Sequence, residues 1–488
     1  MSRAVRMTLA DMTSLSEHPY PAPAHWINGQ PVAVDGPVIE VLNPATGQVI
    51  ATVPEGTGAN VDIAVAAATA AFPAWAATDP AARTAVVRRI AAGLHARNEE
   101  IAATISAEMG APISFARMAH AGLPVMVTEV FAGVAADFEW TEHIATSLIM
   151  REPIGVVGAI TPWNFPLQQI VTKVIPALLA GNTVVLKPSE VAPLVAQILA
   201  EVIAEAGVPA GVFNVVHGTG PVVGEAIAAH PGIDMVSFTG STRAGRRVAA
   251  VASETVKRVA LELGGKSANI ILTDADLRTA VTAGLASAWT NSGQVCGAYS
   301  RMLVPAVLHD EVVDLLRSGA EEYVVGDPAD LATSLGPLAS DVQRERVAAY
   351  IDHGVADGAT VVVGGPGRPE SVPVGAYVKP TVFANVDPAS VIAQEEIFGP
   401  VLAVIPYSDD EEAVQIANST IYGLNGAVFG EPEHALAIAK RVRAGQVDVN
   451  GPQMNLLAPF GGYKQSGNGR EVGRFGLQEF LETKAIQR

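Results

Sequence analysis

Beyond Arg151 the chain settles into a repeating alternation of a short run of β-branched and apolar residues, a turn, and a stretch long enough for a helix. IGVVGAI, TVVLK, FNVV, DMVSF, VALEL and ANIIL form a first series, and RMLVP, ATVVVGG, VLAVIPY and NGAVFG a second. This alternation predicts βαβ units and parallel sheets covered by helices, with a domain boundary near Gly264 and Gly265. Residues 60 to 137 are Ala-rich with apolar positions at helical spacing, and the cap-like Asp79, Pro80 and Asn98 divide them into successive helices. The segment 138 to 153, FEWTEHIATSLIMREP, alternates like a strand or hairpin with exposed edges, and the tail FGLQEFLETKAIQR is expected to pair with it in an oligomer.

With 488 residues the chain exceeds what one core needs, which predicts about three units. Hydrophobic residues at 49% against 16% charged fit an α/β enzyme rather than a disordered or fibrous chain. The net charge of −18 repels phosphate polymers and anionic lipid, which argues against nucleic acid and membrane partners. GVVGAI and VIPALLAG are apolar, but Gln168, Gln169 and Lys173 interrupt them before a bilayer span is reached. Residues 1 to 24 lack the apolar core of a secretory signal and read as a lead-in. A single cysteine forms no internal disulfide, and no Cys/His cluster has zinc-ligand spacing. A cytoplasmic protein without structural metal is expected.

That one cysteine, Cys296, lies in NSGQVCGAYSR, where Gly293 and Gly297 are expected to leave its sulfur uncrowded. A lone cysteine is commonly a buried small hydrophobe, but these flanking residues are small and polar and favour a nucleophile. In TPWNFP, prolines hold the amide of Asn164 after a strand, either as an oxyanion donor or as a loop cap. In LELGGK, Glu262 is either a general base or a solvated carboxylate beside glycines that allow close backbone approach. Lys187 and Glu190 of LKPSE end a strand, where they read as contacts to a ribose or as a surface ion pair. Gly240, Ser241 and Thr242 open a helix directly after a strand, so Ser241 holds a pyrophosphate or serves as a plain N-cap. HGTGPVVGEAI spaces its glycines one residue too widely for the dinucleotide fingerprint, leaving a strand-turn-helix corner as the alternative.

With TPWNFP, LKPSE, FTGST, LELGGK, GQVC, EEIFGP and PFGGYKQSGNGRE present in this order, the sequence resembles the NAD(P)-dependent aldehyde dehydrogenase superfamily from about residue 26 to the C-terminus. The resemblance implies a modified Rossmann cofactor domain, an α/β catalytic domain and a small β oligomerisation arm. These would occupy 25 to 137 with 154 to 264, 265 to 470, and 138 to 153 with 471 to 488. It implies Cys296 as nucleophile, Asn164 as oxyanion donor and Glu262 as base, with Lys173 and Glu471 on a proton path around Glu262. Cofactor contacts are implied at Ile160, Thr161, Pro162, Trp163, Lys187, Ser189, Glu190, Gly220, Phe238, Thr239, Gly240, Ser241, Leu263, Gly264, Glu396 and Phe398. An aldehyde tunnel is implied along Phe165, Thr172, Val295, Met454 and Phe460, with Tyr299 narrowing its entrance or packing against the loop.

The activity so implied is oxidation of an aldehyde to a carboxylic acid through a thiohemiacetal and a thioester on Cys296. Glu262 points to hydrolysis, because relatives that acylate coenzyme A lack a base at this position. Glu190 favours NAD over NADP, since a carboxylate at the ribose diol repels a 2′-phosphate. The mainly apolar tunnel residues, with no Arg to clamp a carboxylate, suggest an uncharged aliphatic or aromatic aldehyde. A homo-oligomer, dimer or tetramer, is expected. A cysteine hydrolase without redox chemistry is the rival, but it has no motif-placed His and leaves LKPSE and FTGST unexplained.

Overall fold

The computed structural model describes Tyr20, residues 23 to 33 and residues 35 to 488, so the expected lead-in lies outside the described residues except at 20, 23 and 24. Each of the ten runs singled out in the sequence contains a strand, and with four further short strands they build two seven-stranded sheets. The first sheet has five parallel strands in the order Arg258–Glu262, Met235–Thr239, Val156–Ile160, Thr183–Lys187 and Phe213–Val215. Antiparallel His25–Ile27 and Gln30–Val32 extend it. From Val156–Ile160 the chain first winds one way, then returns to lay Met235–Thr239 on the other side. The loops at the carboxyl ends of these two strands therefore diverge, and a crevice opens between them.

The second sheet aligns Thr381–Ala384, Val401–Tyr407, Arg301–Pro305, Ala268–Ile271, Asn425–Phe429 and Gln446–Val449 in parallel, with Thr360–Val363 antiparallel at one edge. Residues 263 to 267 link the two sheets. Fully buried Arg301 anchors this link, donating from Nε to the Lys266 carbonyl at 2.9 Å and from both Nη atoms to the carbonyls of Ile416 and Ala417 at 2.8 and 2.9 Å. Those carbonyls lie in the last turn of the helix Asp410–Asn418, where a guanidinium meets the negative end of the helix dipole.

The helix Pro166–Ala180 positions much of the site. Pro166 starts it without losing a needed N–H, and Gly181 ends it in the left-handed region at φ 96°. It is apolar on nearly every side and correspondingly buried, so its polar members Thr172 and Lys173 are carried into the interior. The helices Gly58–Ala76, Pro80–Ala96, Asn98–Met109 and Leu123–Ala136 supply the Ala-rich layer. Asp79 caps the second of these through the Ala81 N–H at 2.7 Å, whereas Asn98 is the first helical residue of the third rather than its cap. Gly58–Ala76 and the helical run Ile113–Ala136 are long and apolar enough to cross a membrane by length and composition, yet each lays a buried face on the protein core.

The hairpin Thr141–Ile144 with Ser147–Pro153 forms a third sheet together with Leu481–Ile486. The tail thus pairs with the hairpin inside one chain, which corrects the expectation that the two meet between subunits. The helix Gly473–Gln478 does not join this sheet: Leu477 and Phe480 are buried in the core beside the Ala-rich helices.

Glu108 illustrates what this core tolerates. Its carboxyl is fully buried, accepts the Leu194 N–H at 2.8 Å, and is pushed up to about 8 by burial, against the opposing hydrogen bonds from Leu194 and Val195. A carboxyl whose folded pKa lies above its unfolded value favours folding while protonated, and this contribution is lost as pH rises from about 4.5 through 8. Glu108→Gln, neutral at every pH, is therefore expected to gain stability over the wild type on going from pH 5 to pH 8. Paired thermal melts at the two pH values check this, and a difference independent of pH would contradict it.

Candidate active site

The helix Leu277–Trp289 runs into Asn291, Ser292 and Gly293, all left-handed at φ 54°, 55° and 73°. Only glycine adopts this region freely, so three in succession persist because side chains tie them down. Asn291 Nδ2 donates to the Asn164 carbonyl at 2.9 Å, Ser292 Oγ to the Gly336 carbonyl at 2.8 Å, and Gln294 Nε2 back to the Asn291 carbonyl at 3.0 Å. The Ala339 N–H completes the set on Gln294 Oε1 at 2.9 Å. This turn presents half-buried Cys296.

The glycines beside Cys296 also allow close packing against distant parts of the chain. A Cβ on Gly293 would come within 2.1 Å of the Gly399 backbone, and one on Gly297 within 2.6 Å of Asn425 Nδ2. Gly264 and Gly265 do serve close approach: a Cβ would lie 2.3 Å from Glu396 Oε2 and 2.3 Å from the Cys296 carbonyl, respectively. Tyr299 donates its hydroxyl to Asp448 and packs against the core of the second sheet.

Buried Asn164 donates from Nδ2 to the Gln294 carbonyl at 3.0 Å. That bond uses one of its two amide hydrogens and orients the other. Glu262 ends the edge strand Arg258–Glu262 and is buried, with neither carboxyl oxygen hydrogen-bonded. It is not a solvated carboxylate. Burial drives its pKa well above the carboxylate range, Glu471 adds to the rise, and Lys173 and Arg470 oppose it. Lys173 Nζ meets Glu471 Oε1 at 2.5 Å, and these three side chains line one narrow cavity that also reaches Arg470 and Glu479. The Cys296 thiol is pushed up to about 12, first by burial, then by Glu396, Glu262 and Glu471, with the Gly297 N–H opposing. At rest the sulfur is a thiol.

The crevice at the carboxyl ends of the first sheet has the chemistry to hold a dinucleotide. Thr161 and Thr239 follow or end the strands on either side of it, and each has a buried hydroxyl with no partner. Ile160 and Phe238 are buried beside them, Pro162 and Trp163 continue the first loop, and Gly240 leads to Ser241 in the second. Ser241 caps the helix Thr242–Ala252, its Oγ accepting from the Ala244 N–H at 3.3 Å, so the N-cap reading holds. Lys187 is buried, and its Nζ lies 2.5 Å from Glu190 Oε2, so the pair is not a surface one. Burial would raise Glu190, but the charge and hydrogen bond of Lys187 outweigh it and hold the carboxyl below its usual range. Glu190 Oε1 also accepts from the Gly220 N–H at 3.4 Å, and Ser189 Oγ from the Val191 N–H at 3.2 Å. Gly218, at φ 145°, lets the GTG corner close on Val223, where a Cβ would sit 2.4 Å from Cγ2.

Across the crevice, Glu396 Oε1 accepts the Gly265 N–H at 3.0 Å beside Leu263 and Gly264, and is pushed up to about 7, chiefly by burial. Phe398, at φ 64°, meets Trp163 edge to face at 5.4 Å. Of the expected tunnel residues, Val295 adjoins the nucleophile, half-buried Phe165 follows Asn164, and Phe460 pairs its backbone with Glu471. Thr172 is buried with its hydroxyl 3.3 Å from the Gln169 carbonyl. Met454 stands 73% exposed, on the surface rather than in an enclosed wall. Asn291, Gln294, Phe115 and His120 were missed. The Asn-Ser-Gly run is a left-handed-turn signal, but nothing local marks His120. Among the described residues no group of three or more His, Cys, Asp or Glu is placed to hold a metal.

The chain is similar to known proteins over nearly its whole length. The family model described as the aldehyde dehydrogenase family matches residues 32 to 486. The chain is 50% identical over 466 residues to 3-succinoylsemialdehyde-pyridine dehydrogenase of a Pseudomonas species, covering 94% of this chain and 97% of that one. A crystal structure of a cysteine-to-alanine mutant of aldehyde dehydrogenase C from Pseudomonas syringae, complexed with NAD+ and octanal, superposes with a TM-score of 0.95 at 50% identity, covering 97% of this chain and 98% of that one. A Mycobacterium tuberculosis aldehyde dehydrogenase complexed with NAD+ superposes with a TM-score of 0.93 at 43% identity, covering 96% and 98%.

Proposed function

Because the chain belongs to the aldehyde dehydrogenase family, we propose that it oxidises an uncharged aliphatic or aromatic aldehyde to the carboxylic acid, with NAD as acceptor, through a covalent adduct on Cys296. The observation carrying this reading is the convergence of three groups. The only thiol rises on a strained turn, the Asn164 amide is oriented by the Gln294 carbonyl two residues before that thiol, and Glu262 lies near enough to raise the thiol pKa.

The Cys296 thiol passes its proton to water as the sulfur bonds to the aldehyde carbon, whose oxygen becomes an anion held by the free Asn164 N–H and the Cys296 backbone N–H, and a proton returns from water to the sulfur when the acid leaves. NAD bound in the crevice supplies the acceptor for the hydride that leaves this carbon when the carbonyl reforms as a thioester. Glu262 then takes a proton from water as the water oxygen adds to the thioester carbon. The carbon–sulfur bond breaks, the acid departs, and the thiol is restored. Lys173 and Glu471 offer the route by which the proton on Glu262 leaves, since all three line the same cavity.

Octanal in the Pseudomonas syringae structure and the pyridine-bearing aldehyde in the other relative's name support an uncharged aliphatic or aromatic substrate. The NAD+ in both structural neighbours supports the cofactor. Glu190, held ionised by Lys187, is set to repel a 2′-phosphate. An aldehyde panel followed by NADH absorbance tests the reading, and no reduction with any aldehyde would end it. At equal concentration NAD is expected to exceed NADP in kcat/KM by about tenfold or more, and Glu190→Gln to narrow that gap, a charge effect of roughly 1.4 kcal/mol or more. The exposed edges Thr141–Ile144 and Leu481–Ile486 fit pairing with a second copy, which a sedimentation mass reads directly.

A further inference from the structure

Asn164 is held from behind by a histidine that plays no part in the chemistry above. His120 lies in the π-helical turn Ala116–Gly122 that interrupts the run Ile113–Ala136, a distortion that costs helix hydrogen bonds and recurs at functional sites. The ring is fully buried, stacks on Phe165 at 4.7 Å with planes 23° apart, and meets Phe115 edge to face at 5.4 Å. Its Nε2 is 3.3 Å from Asn291 Oδ1. Asn291 in turn donates Nδ2 to the Asn164 carbonyl at 2.9 Å, which fixes its amide so that oxygen faces the imidazole. Nε2 therefore carries the proton and donates, while Nδ1 is buried without a partner and bears a bare lone pair. A second ring proton would have no acceptor, and burial holds the imidazole neutral, its pKa lowered to about 4.

We propose that His120 is a positioning residue for the oxyanion donor. Its ring braces Phe165, and its Nε2–H, through Asn291, braces the carbonyl of Asn164, so the peptide carrying the amide is fixed on both sides. This rests on the reading of Asn164 as the oxyanion donor. An oxyanion donor acts because it is aimed before charge develops, and a small misplacement forfeits much of its effect. The left-handed Asn291 is the coupling element: its side chain joins the imidazole to the Asn164 carbonyl, while Gln294 holds its own carbonyl.

Single-turnover NADH formation with a saturating aldehyde tests the brace. His120→Phe keeps an aromatic ring and removes the hydrogen bond. It is expected to slow the first turnover by about 10- to 100-fold, with aldehyde KM and NAD affinity within about threefold of wild type. His120→Gln, which returns an N–H near the position of Nε2, is expected to recover most of that loss. In an Asn291→Ala background, His120→Phe is expected to add nothing further. Asn291→Asp keeps the acceptor for His120 but removes the donor to Asn164, and carries the test should His120→Phe not fold. A wild-type rate in His120→Phe or Asn291→Asp, a Gln variant no better than Phe, or multiplying losses with Asn291→Ala overturns the proposal. Asn164→Ala separates the two readings. A wild-type rate there removes the oxyanion assignment, whereas a large loss there beside an unaffected His120→Phe removes only the brace.

Discussion

Cys296→Ala is expected to abolish aldehyde-dependent NADH formation with every aldehyde the wild type accepts, by about 10⁴- to 10⁶-fold, the loss typical of removing a nucleophile. NAD binding should persist in the variant, because none of the crevice contacts passes through the sulfur. The resting state of the thiol makes a sharper form of the test available. With the sulfur pushed up to about 12, only a trace is thiolate at neutral pH. Alkylation of the free enzyme should therefore accelerate about tenfold per pH unit between 7 and 9 without levelling. Since Cys296 is the only cysteine, loss of activity and uptake of label count the same event. An alkylation profile that levels with a midpoint below pH 8 would show a thiolate already formed, and the upward push on the thiol by burial and the neighbouring carboxylates would be wrong.

Glu262→Gln divides the reaction in two. Thioester formation does not need the carboxylate, so the first-turnover burst of NADH should survive, close to one equivalent per site. Steady turnover, which needs activated water, should fall by about 10²- to 10⁴-fold. A thioester on Cys296 should then accumulate and be visible by mass. The pH dependence carries a sign as well. Glu262 is a base only when ionised, and burial raises its pKa well above the usual range, so steady turnover should climb with pH through neutrality. In the Gln variant that climb should vanish from the deacylation step. Unchanged steady turnover, or a burst that disappears together with it, would remove Glu262 from this role.

Much of the fold was legible because βαβ alternation is written in composition: runs such as TVVLK and VLAVIPY are buried on nearly every residue. Thr381–Ala384 and Gln446–Val449 escaped notice because they are four residues each and the second is half polar. The tail misled for a different reason. An exposed strand pattern shows an edge that wants a partner, but says nothing of whether the partner lies in the same chain, as Ser147–Pro153 does. At the site, motif order pointed to residues that lie at strand ends or in the turns beside them: Cys296, Glu262, Asn164, Lys187. What escaped is what depends on distance in the chain. The glycines beside Cys296 are required by Gly399 and Asn425, more than 100 positions away, and His120 reaches Asn291 across 171 residues. A single sequence carries no mark of such meetings.

The buried contact between Lys173 and Glu471 joins positions 298 residues apart. On a ribosome making roughly 5–20 residues per second, the lysine emerges some 15–60 s before its carboxylate does. Throughout that interval the helix Pro166–Ala180 cannot settle without sealing an uncompensated ammonium, and Ser147–Pro153 keeps the side later covered by Leu481–Ile486 open to neighbouring nascent chains. Completion of the active site must thereby await the synthesis of residue 471, and a chain truncated before that residue should emerge as a client for chaperones rather than as a slower enzyme.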